Sequence, residues 1–162
     1  MSAGGFPLEP LCAVRGIRLR VLETELKRCQ EQHAQAEQQR LAAVEALSLA
    51  RQQRQDFAAA SWQQLFEQNL TTGWAMDRHE KHLGLLDQDI RERQDTLLIC
   101  EQASAETRTA LDLAVATWRQ ARNKLDAVGE MKLEWQRDVR CRAEWREEQN
   151  LEELLLRQAP TR

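Results

Sequence analysis

The longest regular pattern in this sequence is a stripe of apolar residues in its C-terminal half. Alternating steps of three and four residues from Leu83 meet an apolar side chain at eleven of fourteen positions. The fourteen positions are Leu83, Leu86, Ile90, Arg93, Leu97, Cys100, Ser104, Thr107, Leu111, Ala114, Trp118, Ala121, Leu125 and Val128. A seven-residue repeat of this length is typical of a coiled coil. We therefore predict a helix over residues 77–158 with this stripe as its buried seam.

The N-terminal half carries a weaker stripe of the same period. Nine of its thirteen positions are apolar: Leu19, Leu22, Leu26, Cys29, His33, Ala36, Arg40, Ala43, Leu47, Ala50, Arg54, Phe57 and Ser61. Pro10 suits the first turn of a helix, because its missing N–H would have no partner there. We predict a helix over residues 10–68, preceded by a flexible lead over residues 1–9, where glycines disfavour regular structure.

A break in helix propensity separates the two stripes. Asn69, two threonines and Gly73 lie there, and Asp77 with Glu80 resembles a capping box that would start the second helix. We predict a turn over residues 69–76 centred on Gly73, so the numbers of facing residues should add to about 146. The expected fold class is all-α, an antiparallel two-helix coiled-coil hairpin.

The second predicted helix is longer than the first, so its C-terminal end should overhang. Beyond Gly129 the apolar residues Met131, Trp135 and Val139 suggest a stutter in the heptad register. Beyond Val139 no residue of the first helix should remain to cover the leucines at 151, 154, 155 and 156. Pro160 should end the helix and leave residues 159–162 as a tail.

Composition supports long helices over a compact core. Charged residues make up 30% of the chain and aromatic residues 5%, and the net charge is −3 with both signs interleaved. No basic block suits a nucleic-acid duplex, and no apolar run approaches the ~18 residues of a membrane span. We therefore expect a cytoplasmic protein that neither binds nucleic acid nor is embedded in a membrane.

Candidate chemistry is sparse. The spacing of Cys12, Cys29, Cys100 and Cys141 fits no paired zinc-ligand motif, so we expect small hydrophobic roles, with no disulfide within the chain. His79 and His82 lack a third ligand, so neither a metal nor another cofactor is expected. No nucleophile and base are spaced for catalysis, which predicts that the chain is not an enzyme.

Two regions are candidate partner-binding sites. Near the predicted turn lie Phe57, Trp62, Leu65, Phe66 and Trp74, which the loop could cover or which could form an exposed anchor patch. In the predicted overhang and just before it lie Trp135, Arg142, Trp145, Leu151, Leu154 and Leu155. We expect Trp135 and Trp145 to serve either the mouth of the hairpin or a partner.

Three segments are similar to the YscO and FliJ family, the coiled-coil stalk proteins of type III secretion. They are LCAVRGIRLRVLE at residues 11–23, SWQQLFE at residues 61–67 and AVATWRQARNKL at residues 114–125. The Trp118 to Leu125 element and the helix–turn–longer-helix plan are the more specific parts of this resemblance. The N-terminal segment resembles injectisome members more than flagellar ones.

The resemblance implies a function and two partners. Family members insert the end that carries their termini into a hexameric export ATPase and stimulate it, while the hairpin end reaches the export gate at the membrane. Some members also bind secretion chaperones. This chain would then be a monomer when free, at the cytoplasmic face of the secretion apparatus, with Trp135 and the overhang near the ATPase and the turn aromatics near the gate. A dimeric scaffold, and a chaperone or adaptor without an ATPase partner, remain alternatives.

Overall fold

The computed structural model describes residues 5–67 and 73–158, except for the side chains of Leu65 and Gln158. Two α-helices account for almost all of these residues: α1 (Glu9–Glu67) and α2 (Gly73–Gln158). They pack as a helical hairpin with no strand in the described ranges, which confirms the all-α two-helix prediction.

The start of α2 differs from the prediction. α2 begins at Gly73, so the predicted turn over residues 69–76 extended too far, and residues 69–72 lie outside the described ranges. Asp77 does not cap the helix: it lies within α2, and its Oδ2 accepts a hydrogen bond from Lys81 Nζ at 2.7 Å. An acidic residue four positions before a lysine is a favourable pair inside a helix. Asp77 and Glu80 resembled a capping box, but Asp77 is instead the acidic member of such a pair.

Residues 27–113 form one compact unit, in which the two helices bury the predicted seam. Each seam position of this unit is buried or half-buried on both helices. Four buried small residues recur every seven positions on α1: Cys29, Ala36, Ala43 and Ala50. Such small side chains fill a narrow seam, which agrees with the small number of aromatic residues.

The register of this unit is shifted from the expected one. His33 Nδ1 lies 3.2 Å from Thr107 Oγ1, and Arg54 Nε lies 2.8 Å from Asp87 Oδ1. The residue numbers of these pairs add to 140 and 141 instead of about 146. The early start of α2 explains the shift, because it moves the centre of the turn three residues towards the N-terminus.

Residues 1–26 and 114–162 form a second compact unit. Burial on α2 continues after Val128 in steps of four and three, at Lys132, Trp135 and Val139, while Met131 is exposed. The predicted stutter is therefore wrong. Lys132 holds the seam position because its alkyl stem can pack there while its Nζ reaches Glu9 Oε2 at 2.6 Å.

Phe6, in the described part of the predicted flexible lead, packs against α2. Phe6 is buried, and its ring centroid lies 5.8 Å from that of Trp135. The backbone oxygen of Phe6 accepts a hydrogen bond from the Glu9 amide at 3.0 Å, next to the first residue of α1. Among residues 5–8, Phe6 therefore packs while the other three are exposed.

The last part of α2 has the exposure expected of an overhang. Every side chain from residue 140 to residue 157 is exposed, and we call residues 140–158 the overhang. The four cysteines form no disulfide: Cys29 is buried and Cys12 and Cys100 are half-buried, but Cys141 is exposed in the overhang and does not act as a core residue. Neither helix, over its described residues, combines the length and apolarity needed to cross a membrane.

Two candidate partner-binding surfaces

The aromatic residues at the ends of α1 and α2 that adjoin the turn divide into exposed and covered ones. Phe66 and Trp74 are 69% and 71% exposed, and Trp62 is 42% exposed. We call these three side chains the tip surface. The interpretation as an exposed anchor patch is thus favoured for them, whereas the Leu65 side chain lies outside the described residues.

Phe57 belongs to the packing beneath this region and not to the tip surface. Its ring centroid lies 5.5 Å from His79 and 4.2 Å from His82, and it is half-buried. His79 also meets the edge of Trp62 at 5.0 Å, and Trp62 stacks on Phe66 at 5.9 Å. The two imidazoles cover Phe57, as its place on the predicted seam of α1 indicates, and its role as a partner contact stays a prediction.

His79 has a packing position that the sequence analysis missed. It is 6% exposed, and it lies four residues before Leu83, which extends the seam of α2 by one step. That spacing could have identified it as a core residue. Among the described residues, no group of three or more His, Cys, Asp or Glu side chains is arranged to hold a metal ion.

Trp74 is presented to solvent beside a cation. The Arg78 guanidinium carbon lies 5.7 Å from the Trp74 ring centroid, within the range of a cation–π contact. An exposed aromatic ring beside an arginine is common in protein interfaces, where these two residue types are enriched. The tip surface can therefore bind a partner that offers an apolar pocket with a carboxylate near it.

The overhang exposes large apolar side chains on two faces. Leu151, Leu154 and Leu155 are three and four residues apart and share one face of α2. Trp145 and Leu156 are eleven residues apart, close to three full helical turns, and share another face. All five are exposed, up to 75% for Leu156.

The face of the overhang that continues the seam is polar as far as Glu153. Steps of three and four from Val139 reach Arg142, Arg146, Gln149 and Glu153 before they reach an apolar residue, Leu156. Arg142 is exposed, and its backbone oxygen accepts a hydrogen bond from Arg146 Nε at 3.1 Å. Apart from Leu156, the apolar residues of the overhang are therefore not a continuation of the hairpin seam, and a different surface must cover them if they are covered.

Trp135 is less exposed than the other five candidate residues of the C-terminal region. It is half-buried in the seam against Phe6, so its ring is a packing element of the hairpin mouth. The pattern of polar and apolar positions allowed this role or a partner contact, and the contact between the Phe6 and Trp135 rings favours packing. Trp145, by contrast, is 59% exposed.

A polar cluster interrupts the seam in the middle of residues 27–113. The Glu37 carboxylate accepts hydrogen bonds from Arg40 Nη2, at 3.0 Å, and from the Ser104 hydroxyl. These two bonds lower the pKa of Glu37 to about 2, Arg40 contributing most. Arg54 forms its ion pair with Asp87 on the opposite helix. Two of the three predicted seam arginines, Arg40 through Glu37 and Arg54 directly, therefore take part in polar links between the helices. The third, Arg93, pairs with Asp89 on its own helix.

Comparison with known proteins adds no relative. No protein-family model, curated protein or solved structure matches this sequence. The two surfaces and the residue pattern are thus the basis for a functional proposal.

Proposed function

We propose that this chain is a non-catalytic central stalk of a type III secretion system, with a hexameric export ATPase as its main partner. In this proposal the overhang enters the ATPase and stimulates hydrolysis, and the tip surface contacts the export gate. Secretion chaperones are a further class of partner. The similarity of residues 11–23, 61–67 and 114–125 to the YscO and FliJ family supports the assignment to a secretion system.

One observation carries the proposal. The overhang exposes large apolar side chains on two faces, and its seam-continuing face is polar from Arg142 to Glu153. A partner that packs along one side of a helix would need one apolar face. Apolar residues on two faces instead suit a partner that surrounds the helix, as the central pore of a ring does.

The tip surface supports a second contact at the other end of the helices. Phe66 and Trp74 are large, exposed aromatic residues in a chain with few aromatics. Rings of this kind supply much of the binding energy in interfaces. The overhang is already assigned to the ATPase in this proposal. We therefore assign Phe66 and Trp74 to the other expected partner, the export gate.

The proposal is tested by measuring phosphate release from a purified hexameric secretion ATPase of the same organism. The full chain should raise the hydrolysis rate severalfold, and truncation after Val139 should abolish the effect. Leu154→Ser with Leu155→Ser should remove most of it. Leu98→Ser with Ile99→Ser is the matched control, since these are also adjacent exposed aliphatic residues of α2 but lie outside the overhang.

Three outcomes separate the possibilities. Phe66→Ser with Trp74→Ser should keep ATPase stimulation but weaken binding to the cytoplasmic domain of the gate protein. No stimulation by the folded full chain would contradict the stalk function. Binding to small secretion chaperones without any effect on the ATPase would instead favour a chaperone or adaptor.

A further inference from the structure

A cleft between α1 and α2 concentrates positive charge within the unit of residues 1–26 and 114–162. Its volume is about 310 Å³, and its lining includes three basic side chains, Arg15, Arg18 and Lys124. Thr117 and Gln120 add polar groups to the lining. No carboxylate lines this cleft.

The segments around the cleft are uniformly basic. Residues 11–22 contain three arginines, residues 114–125 contain two arginines and a lysine, and neither segment contains an acidic residue. The whole chain, by contrast, has a net charge of −3. The excess of positive charge is therefore local to the paired segments that form this cleft.

The basic groups of the cleft are not neutralised by neighbours. Arg15 Nη1 donates to the Lys124 carbonyl oxygen at 2.5 Å, which holds its guanidinium across the cleft without removing its charge. Arg18 and Lys124 form no ion pair within the described part of the chain. Arg122, which does not line the cleft, differs from these residues because it has an acidic partner. It pairs with Asp126, and its guanidinium carbon lies 5.3 Å from the Trp118 ring centroid.

We propose that this cleft is a binding site for the carboxylates of an acidic peptide segment of a partner protein. Guanidinium groups bind carboxylates through paired, charge-assisted hydrogen bonds, and a positioned arginine loses little freedom when it does so. A nucleic acid suits the cleft less well, because duplex binding requires basic residues along a longer track of phosphates. The site is a property of the isolated chain and does not depend on the proposed secretion function.

The test measures binding of a fluorescently labelled hexaglutamate peptide to the full chain by anisotropy at low ionic strength. The peptide should bind, and added salt should weaken the binding because the contacts are electrostatic. Arg18→Glu with Lys124→Glu should weaken binding at least about tenfold. Arg20→Glu with Arg119→Glu is the matched control: it changes the net charge equally in the same two segments, but neither residue lines the cleft.

The control pair should change the affinity by less than about threefold, and circular dichroism should show that both variants remain helical. Because all four residues are exposed, neither pair removes a core contact. Equal loss in both variants would show diffuse attraction and overturn the proposal, as would the absence of peptide binding at low salt. Binding of inorganic triphosphate, but not hexaglutamate, that requires Arg18 and Lys124 would reassign the cleft to phosphate groups. A chain that binds the peptide but fails to stimulate the ATPase would lose the stalk function and keep this site.

Discussion

At the scale of single residues, His79 is the least satisfied side chain of the core. Both of its ring nitrogens are buried, and neither has a hydrogen-bond partner among the residues that the structure describes. A buried polar group without a partner costs about 1–3 kcal/mol. The ring nevertheless contributes packing, since it contacts Phe57 and Trp62.

We predict that His79→Phe stabilises the hairpin. The substitution keeps an aromatic ring between Phe57 and Trp62 and removes the unpaired nitrogens, so the free energy of unfolding should rise by about 1 kcal/mol. Urea denaturation followed by circular dichroism measures this. His82→Phe is the control, because His82 is exposed and should change stability by less than about 0.5 kcal/mol. A destabilised His79→Phe variant would show that the imidazole makes a needed polar contact.

Glu37 makes stability depend on pH in a predictable direction. Hydrogen bonds from Arg40 and Ser104 lower the pKa of Glu37 from 4.5 to about 2 in the folded chain. Its contribution to stability is therefore present above pH 4.5 and is lost as the pH falls from 4.5 through 2, because the unfolded chain takes up the proton first.

We predict that Glu37→Gln loses this dependence. The wild type should be more stable than the variant at pH 6, and the difference in unfolding free energy should shrink as the pH falls to 3. Urea titrations at several pH values measure the difference. Glu31→Gln, which removes an exposed carboxylate of the same helix that forms no ion pair in the described ranges, controls for the loss of one charge. A difference that does not vary between pH 6 and pH 3 would mean that Glu37 is not held by these bonds in solution.

At the scale of the helices, the seven-residue pattern predicted the seam well and the register less well. The predicted seam positions of both helices are all buried or half-buried. The pattern failed at Lys132, because a lysine that packs its stem in a seam has the sequence signature of a surface residue. It failed at Asp77 because an i, i+4 ion pair inside a helix and a capping box use the same residue types.

The sequence predicted the exposed residues correctly where one helix extends beyond the other and nothing in the chain can cover it. The leucines of the overhang are exposed as expected, since the first helix is too short to reach them. Trp145, for which packing at the hairpin mouth was the alternative, is exposed as well. Trp135 was less predictable, because Phe6 of the predicted flexible lead packs against it. Phe57 lay on the predicted seam as well as among the candidate contact residues, and its contacts with two histidines agree with the seam position. The basic cleft could not be found from spacing, because Arg15, Arg18 and Lys124 come to line one cleft only through the pairing register. The predicted sum of about 146 misplaces facing residues by five or six positions, since the observed pairs add to 140 and 141.

At the scale of the whole molecule, the chain covers its own seam. In each compact unit the apolar seam of one helix packs on the other helix of the same chain, so a second chain is not needed to bury it. Stable protein interfaces bury about 1,200–2,000 Å² in total. The overhang is one of the stretches that expose apolar residues, and its 19 residues span only about 28 Å of helix.

We therefore predict that the free chain is a monomer at micromolar concentration. Light scattering coupled to size exclusion, with reductant present because Cys141 is an exposed thiol, should give the mass of one chain. The chain truncated after Val139 is the matched control, because it keeps the paired helices and lacks the exposed leucines. A full-length dimer with a monomeric truncated form would mean that overhangs pair with each other, which would compete with the proposed ATPase contact. Dimers of both forms at every concentration would show that the helices pair between chains, and the scaffold alternative would then replace the stalk.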